Sequence, residues 1–245
     1  MIPLIAAALR LGLTATTLAA ASPPARVPFA LVELYTSEGC SSCPPADRLL
    51  SQLDREAAQS GRNLLTLEFH VDYWNSAAWR DAFSSGAHSE RQRQYAAALG
   101  SEVYTPQAVI NGRTECVGSD AGRVHRAVDA ALASAPHVAL AIESVTDGGH
   151  PAVHYRLSGA EPNARVCAAL AESGIVTRVG GGENAGREVA HGSVVREFLT
   201  RARGQADSGE LRFSAAATSE HPRRIVVFVQ DPKTLAILAA ASVAI

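Results

Sequence analysis

Hydrophobic positions along this chain change period several times, and each change marks an element. Phe29-Ala30-Leu31-Val32-Glu33-Leu34-Tyr35 is a nearly continuous apolar run and reads as a strand. Ala46, Leu49, Leu50, Leu53 and Ala57 then recur at helical spacing, giving an amphipathic helix that Gly61 ends. Residues 64–71 read as a second, buried strand. Strand, helix and strand in this order predict parallel strands joined by a right-handed crossover. Pro44 and Pro45 sharpen the helix start, because proline fits only the first turn, where its missing N–H has no partner to lose. The helix therefore begins close to Cys43 and leaves Cys40 at its mouth.

Residues 72–100 read as a helical insertion. Ser89-Glu90-Arg91-Gln92 has the capping-box pattern, the helix runs to Leu99, and Gly100 is the stop. Asn111-Gly112 between apolar runs predicts a hairpin joining strands 107–110 and 113–117. A helix follows, capped by Ser119 or Asp120, with Ala121, Val124, Ala127, Val128 and Ala131 on one face. Pro136 closes this α/β unit, which spans 29–135. From His137 onward the pattern shortens to strand candidates at 138–145, 152–157, 165–171, 175–179, 194–199, 211–215 and 225–230. A last run, 235–243, is Ala-rich and compatible with strand or helix. That spacing predicts a smaller all-β, sandwich-like domain over 137–245.

Composition narrows the function classes. The 245 residues carry 22 Lys+Arg against 24 Asp+Glu, a net charge of −2, and no basic run points to nucleic acid. Residues 1–21 are apolar and Ala-rich and end Ala19-Ala20-Ala21-Ser22, small residues in the cleavage pattern of an export signal. Arg10 interrupts them, and Leu11–Ala21 is too short for a membrane span of about 20 residues. The reading is a secreted or periplasmic protein with no stable membrane insertion after cleavage. Its oligomeric state is left open. Export places the four cysteines where disulfides persist.

The candidate chemistry sits in Gly39-Cys40-Ser41-Ser42-Cys43-Pro44-Pro45. Two cysteines three apart can close a small disulfide and reopen it, and a strand delivering the pair to a helix suggests a redox site. Half a zinc site is the rival, but Cys116 and Cys167 stand alone and supply no second pair at ligand spacing. A thiol at a helix mouth meets unpaired N–H groups and the positive dipole end, both favouring thiolate. A permanently closed structural bridge is a poorer reason for this spacing, since the stabilisation from a disulfide grows with loop length. Cys40 then attacks a partner's sulfur and Cys43 resolves the mixed disulfide.

This order of elements resembles the thioredoxin fold over 29–135. The resemblance implies that Pro106 is a cis-proline set against the redox pair. It also implies that Glu33 is the buried acid moving the second cysteine's proton. The longer string Glu33-Leu34-Tyr35-Thr36-Ser37-Glu38-Gly39-Cys40-Ser41-Ser42-Cys43-Pro44-Pro45-Ala46-Asp47 is more specific. It is followed by His70-Val71-Asp72-Tyr73-Trp74, Arg91-Gln92, Tyr95, Tyr104-Thr105-Pro106-Gln107 and Gly182-Glu183-Asn184-Ala185-Gly186-Arg187, then His191 and Val194-Val195-Arg196. Together these are similar to a family of secreted, thioredoxin-like bacterial proteins catalogued as a domain of unknown function. That family implies fold and export and no substrate.

His70 and Asp72 fall at the carboxyl edge of the second strand, and with Thr105 are candidate relay or substrate residues. His70, Asp72 and His88 make a weaker metal set, and neither metal nor cofactor is assigned. Trp74, Trp79 and Phe83 either dock a partner or pack the insertion onto the sheet. Cys116 and Cys167 are either two buried thiols or a bridge between the two expected domains. The Gly180–Gly186 loop either approaches the redox face, cradles an anion or is a plain turn, and His191 has no evident partner. The expected function is exported thiol–disulfide exchange through Cys40 and Cys43, with protein or small thiols and disulfides as partners. The alternative is a binding module without turnover, carrying a metal such as copper through Cys40, Cys43 and His70.

Overall fold

The computed structural model describes residues 23–216 and 219–245, so the export segment read over 1–21 lies outside the described residues. In chain order the elements are β1 (Ala30–Thr36), α1 (Pro44–Ser60), β2 (Leu64–His70), α2 (Gly86–Leu99), β3 (Gln107–Ile110), β4 (Thr114–Val117) and α3 (Ala121–Leu132). There follow β5 (Ala139–Asp147), β6 (Pro151–Ser158), β7 (Arg165–Glu172), β8 (Ile175–Arg178), β9 (Glu188–His191), β10 (Val194–Ala202), β11 (Ser208–Arg212), β12 (Arg223–Gln230) and β13 (Ile237–Ala244). No helix among the described residues is long and apolar enough to cross a membrane.

The fold is mixed α/β, built on a large central sheet with few helices. β1 and β2 are parallel around α1, as the crossover requires; β3 runs antiparallel on the other side of β1, and the Asn111-Gly112 turn joins it antiparallel to β4. Eight strands run in the order β13-β12-β7-β10-β2-β1-β3-β4. The expected boundary after Pro136 is therefore no boundary in the sheet. β10 meets β2 in parallel at Val194 and Glu68, and β7, β12 and β13 continue outward from it. Two N-terminal strands alone would leave the open edge of β2 unpaired, and pairing covers it. Over 137–245 the three-stranded sheet β11-β6-β5 and the β8-β9 pair stand apart from the large sheet. A cluster with Val153, Leu157, Phe213, Ile225 and Val227 lies between the three-stranded sheet and the outer half of the large one.

Two further clusters flank the central sheet. Val32, Leu34, Leu50, Leu53 and Val128 pack α1 and α3 on one face. On the other, Leu31, Tyr35 and Phe69 pack with Cys167, Ala169 and Phe228, so both halves share this core. Two local readings are corrected. Ser85, not Ser89, caps α2, its side chain accepting from Ala87 N; Ser89 lies inside the helix and bonds Asp72 instead. The loop before residue 194 also contains a strand, β9, which pairs antiparallel with β8. Cys116 and Cys167 are free, buried thiols in opposite cores.

Candidate functional site

At the end of β1 the chain turns tightly, with Cys40 N donating to Ser37 O at 3.1 Å. Cys43 is the N-cap of α1, followed at once by Pro44 and Pro45, as the proline argument requires. Cys40 and Cys43 are joined in a disulfide with 5.4 Å between Cα atoms. Ser42 Oγ stands 3.3 Å from Cys40 Sγ and donates to Thr105 O at 3.5 Å, tying the pair to the cis Thr105–Pro106 peptide. Trp74 Nε1 fixes Thr105 from the other side, donating to Oγ1 at 2.7 Å. Cys40, Cys43, Thr105 and Pro106 thus come together.

The expected accessible mouth is not found: both half-cystines are 0 % exposed. The Gly180–Gly186 loop lies across the residues that carry Cys40. Buried Asn184 donates from Nδ2 to Glu38 O at 2.9 Å and to Cys40 O at 2.8 Å, and Glu183 Oε2 accepts from Ser41 N at 3.0 Å. That bond also holds the exposed Glu183 carboxyl below its usual range. Close approach explains the glycines, since a Cβ on Gly181 would stand 2.1 Å from Ala78 O. Of the readings open for this loop, approach to the Cys pair is the one realised.

Glu33 does not meet the pair. Side chains of a strand alternate between faces, and Val32 and Leu34 point toward α1, so Glu33 points away from it. Its carboxylate accepts from Arg91 Nε at 2.6 Å, Arg91 Nη2 at 2.9 Å and Tyr95 OH at 2.6 Å. The guanidinium lies 4.7–5.7 Å from four aromatic ring centroids, in a sealed structural ion pair. Asp72 is a helix anchor as well, accepting from Ser89 Oγ at 2.5 Å.

The acids on the α1 side are others. Asp47, one turn past Cys43, accepts from Thr36 Oγ1 at 2.7 Å. Burial, reinforced by the neighbouring Glu68 charge, pushes its carboxyl up to about 8. Behind it runs an alternating chain of carboxylates and imidazoles. His70 Nδ1 pairs with Asp81 Oδ2 at 2.7 Å and His70 Nε2 with Glu68 Oε1 at 3.2 Å; His191 Nδ1 meets the same oxygen at 2.8 Å. His191 Nε2 faces Glu38 Oε1 at 3.4 Å, too poorly aligned for a hydrogen bond. Burial opposes charge on both rings, but the carboxylates outweigh it, raising His70 to about 10 and His191 to about 9. Glu68 resists its own burial for the same reason and falls well below the usual carboxylate range.

The expected His70, Asp72 and His88 set is not assembled, because His88 Nδ1 turns to the His70 carbonyl at 3.0 Å. Trp74, Trp79 and Phe83 are half-buried and pack the insertion inward. Trp79 Nε1 donates to Glu38 Oε2 at 3.0 Å, and Phe83 lies edge-on to both imidazoles.

Residues 31–230 match the family described as a protein of unknown function, DUF1223. The chain belongs to that family. Among solved structures it is similar to protein AGR_C_4864 from Agrobacterium tumefaciens, at 26% identity and a TM-score of 0.65, covering 89% of this chain and 95% of that one. It is also similar to HBP35 of Porphyromonas gingivalis at 12% identity and a TM-score of 0.65, over 91% of this chain and 76% of that one. At that identity the likeness is one of fold. No curated protein matches.

In this DUF1223 chain the sequence reading missed Asp47, Asp81 and the roles of Glu38, Glu68 and His191. Glu68 carried a signal, a lone acid inside an apolar strand. His191 carried none, because its partner Glu68 lies 123 residues away on β2.

Proposed function

We propose that this chain is an exported thiol–disulfide oxidoreductase in which residues 29–135 form a thioredoxin-like unit with its helical insertion at 72–100. The observation that carries the reading is the Cys40–Cys43 disulfide at the N-terminus of α1, linked through Ser42 to cis Thr105–Pro106. The parallel β1–α1–β2 unit and the antiparallel β3–β4 hairpin support the same fold.

In one direction a partner thiolate attacks Cys40 Sγ, the S–S bond breaks, and Cys43 leaves as thiolate. Asp47, protonated at neutral pH and one helical turn on, supplies that thiolate's proton. A second partner thiol, once deprotonated, attacks the mixed disulfide and releases Cys40. The partner departs as a disulfide with two electrons fewer, and the chain holds two thiols. Run backward, the same steps oxidise the pair and reduce the partner. The α1 dipole favours each sulfur while it is a thiolate. The Gly180–Gly186 loop is the cover that withdraws before either direction can start.

The test is trapping. With Cys43→Ser, the Cys40 thiolate attacks a protein disulfide or a small disulfide, one partner sulfur leaves as thiolate, and the mixed disulfide left at Cys40 cannot be resolved by the chain; it is visible by mass and reversed by reductant. Absence of any adduct at Cys40 in this variant, with no measurable reduction potential for the parent pair, overturns the proposal. Burial of both sulfurs favours a second reading, a binding module whose disulfide stays closed. That reading requires Cys40→Ser to leave partner binding and cellular phenotype unchanged. Its copper variant lacks its two sulfur donors while the pair is closed, since Cys40 and Cys43 bond each other.

A further inference from the structure

The seam where the two halves of the sheet meet carries buried polar groups. Glu68 N donates to Ser193 O at 2.8 Å across it, and Gly192 N donates to Glu68 Oε2 at 3.0 Å. Those bonds fix Glu68 so that its other oxygen, Oε1, points between the two imidazoles. Glu68, His70 and His191 are the one group of three such donors found close together among the described residues, their ligand atoms all within 4.8 Å of one another.

We propose that Glu68 Oε1, His70 Nε2 and His191 Nδ1 form a binding site for one divalent transition-metal ion of the zinc class. Distances support it. Tetrahedral zinc with bonds of about 2.0–2.1 Å sets its ligand atoms about 3.3 Å apart. The two edges from Glu68 Oε1 already measure 3.2 and 2.8 Å. Two imidazole nitrogens and one carboxylate oxygen suit borderline ions and leave a fourth position open.

The second layer supports it more strongly. Metal-binding imidazoles ordinarily hand their other nitrogen to a carboxylate, which orients the ring and raises its basicity. Here both do. Asp81 takes His70 Nδ1 at 2.7 Å and is itself held by Glu38 N and Phe83 N. Glu38, anchored by Trp79, faces His191 Nε2 at 3.4 Å. Neither Glu38 Oε1 nor His191 Nε2 has a hydrogen-bond partner among the described residues, slack that a ring drawn onto an ion takes up. Entry is through the open cleft lined by Ser51, Asp54, His191, Gly192 and Arg224. The ion ties β2 to β9.

The test uses the full mature chain carrying Cys40→Ser and Cys43→Ser, which removes thiolate ligands and makes the result independent of any redox activity. Zn²⁺ is titrated calorimetrically and Co²⁺ by visible absorption. The expected result is one ion per chain and a cobalt spectrum of nitrogen and oxygen ligation. His191→Ala and Glu68→Gln abolish saturation, and Glu38→Gln, which keeps the side chain's shape, weakens Zn²⁺ binding by about 10-fold or more. Folding of each variant is checked by circular dichroism. Should His191→Ala or Glu68→Gln fail to fold, Glu38→Gln decides alone. No saturable binding by the parent, or folded variants binding as tightly as it does, overturns the proposal.

Discussion

Asn184→Ala isolates the cover over the disulfide. The asparagine's Nδ2 donates to two backbone carbonyls, Glu38 O and Cys40 O, while its own oxygen accepts from the exposed Arg187. A net hydrogen bond contributes about 1 kcal/mol, so losing both costs the closed loop about 2 kcal/mol. At 1.4 kcal/mol per tenfold, the open population rises about 30-fold. With both sulfurs fully buried, a reductant acts only on the open form. If opening and closing outpace the chemistry, the observed rate rises by the same factor.

The assay is pseudo-first-order reduction of the disulfide by a water-soluble phosphine, with new thiols alkylated and counted by mass. A rise of about 30-fold with unchanged global stability supports the reasoning. A folded variant reduced within about twofold of the parent rate refutes it, since the loop would then not be what limits access. Gly181→Ala attacks another contact of the same loop, by driving a Cβ to 2.1 Å from Ala78 O, and belongs with Asn184→Ala. Two unrelated lesions that both unseat the loop and both speed reduction exclude a local effect of either.

Three other outcomes follow from the buried charges. Arg91→Met leaves the Glu33 carboxylate sealed without its partner and lowers stability by about 3–5 kcal/mol, read from denaturant midpoints; a loss below about 1 kcal/mol means the ion pair is not what holds this core. His70 and His191 sit above their ordinary value of 6.5, so the stability they contribute is complete below that pH and drains away as pH climbs through about 9 and 10. Thermal melts of metal-free protein should fall over that alkaline range, and His70→Asn should flatten the fall; a flat parent profile contradicts the assignment. Asp47→Asn replaces a carboxyl already neutral at pH 7, so folding is little changed, whereas exchange through the pair slows about 100-fold, measured as single-turnover reduction.

The α/β half was legible because its signals are local. Apolar runs, a helical stripe, Pro44-Pro45 and Asn111-Gly112 each act within a few residues, and the elements stand within a residue or two of where those patterns put them. Ser89 misled because a capping pattern marks only a permitted start. Ser85, one turn earlier, caps the helix, and Ser89 is drawn to Asp72. The C-terminal strands were legible one by one, but not their partners. Nothing local says that β10 adds to the edge of β2, 126 residues earlier at the Val194–Glu68 pair.

That single pairing also explains why half of the site was invisible. β1 and β2 are buried on both faces, so their apolar runs carry no alternation to reveal which residues face α1. The parity is set by register: Thr36, Glu68 and His70 share the α1 face, while Glu33 falls on the other and finds Arg91. Once β10 docks on β2, the short hairpin before it carries His191 onto Glu68 and Asn184 onto Cys40. The C-terminal half is therefore not an appendage that merely positions a partner. It supplies one imidazole of the buried cluster and the cover of the disulfide, and both depend on one seam. A substitution that weakens the seam at Ser193 or Gly192 should accordingly disturb disulfide access and the imidazole cluster together, although neither residue touches a cysteine through any hydrogen bond among the described residues.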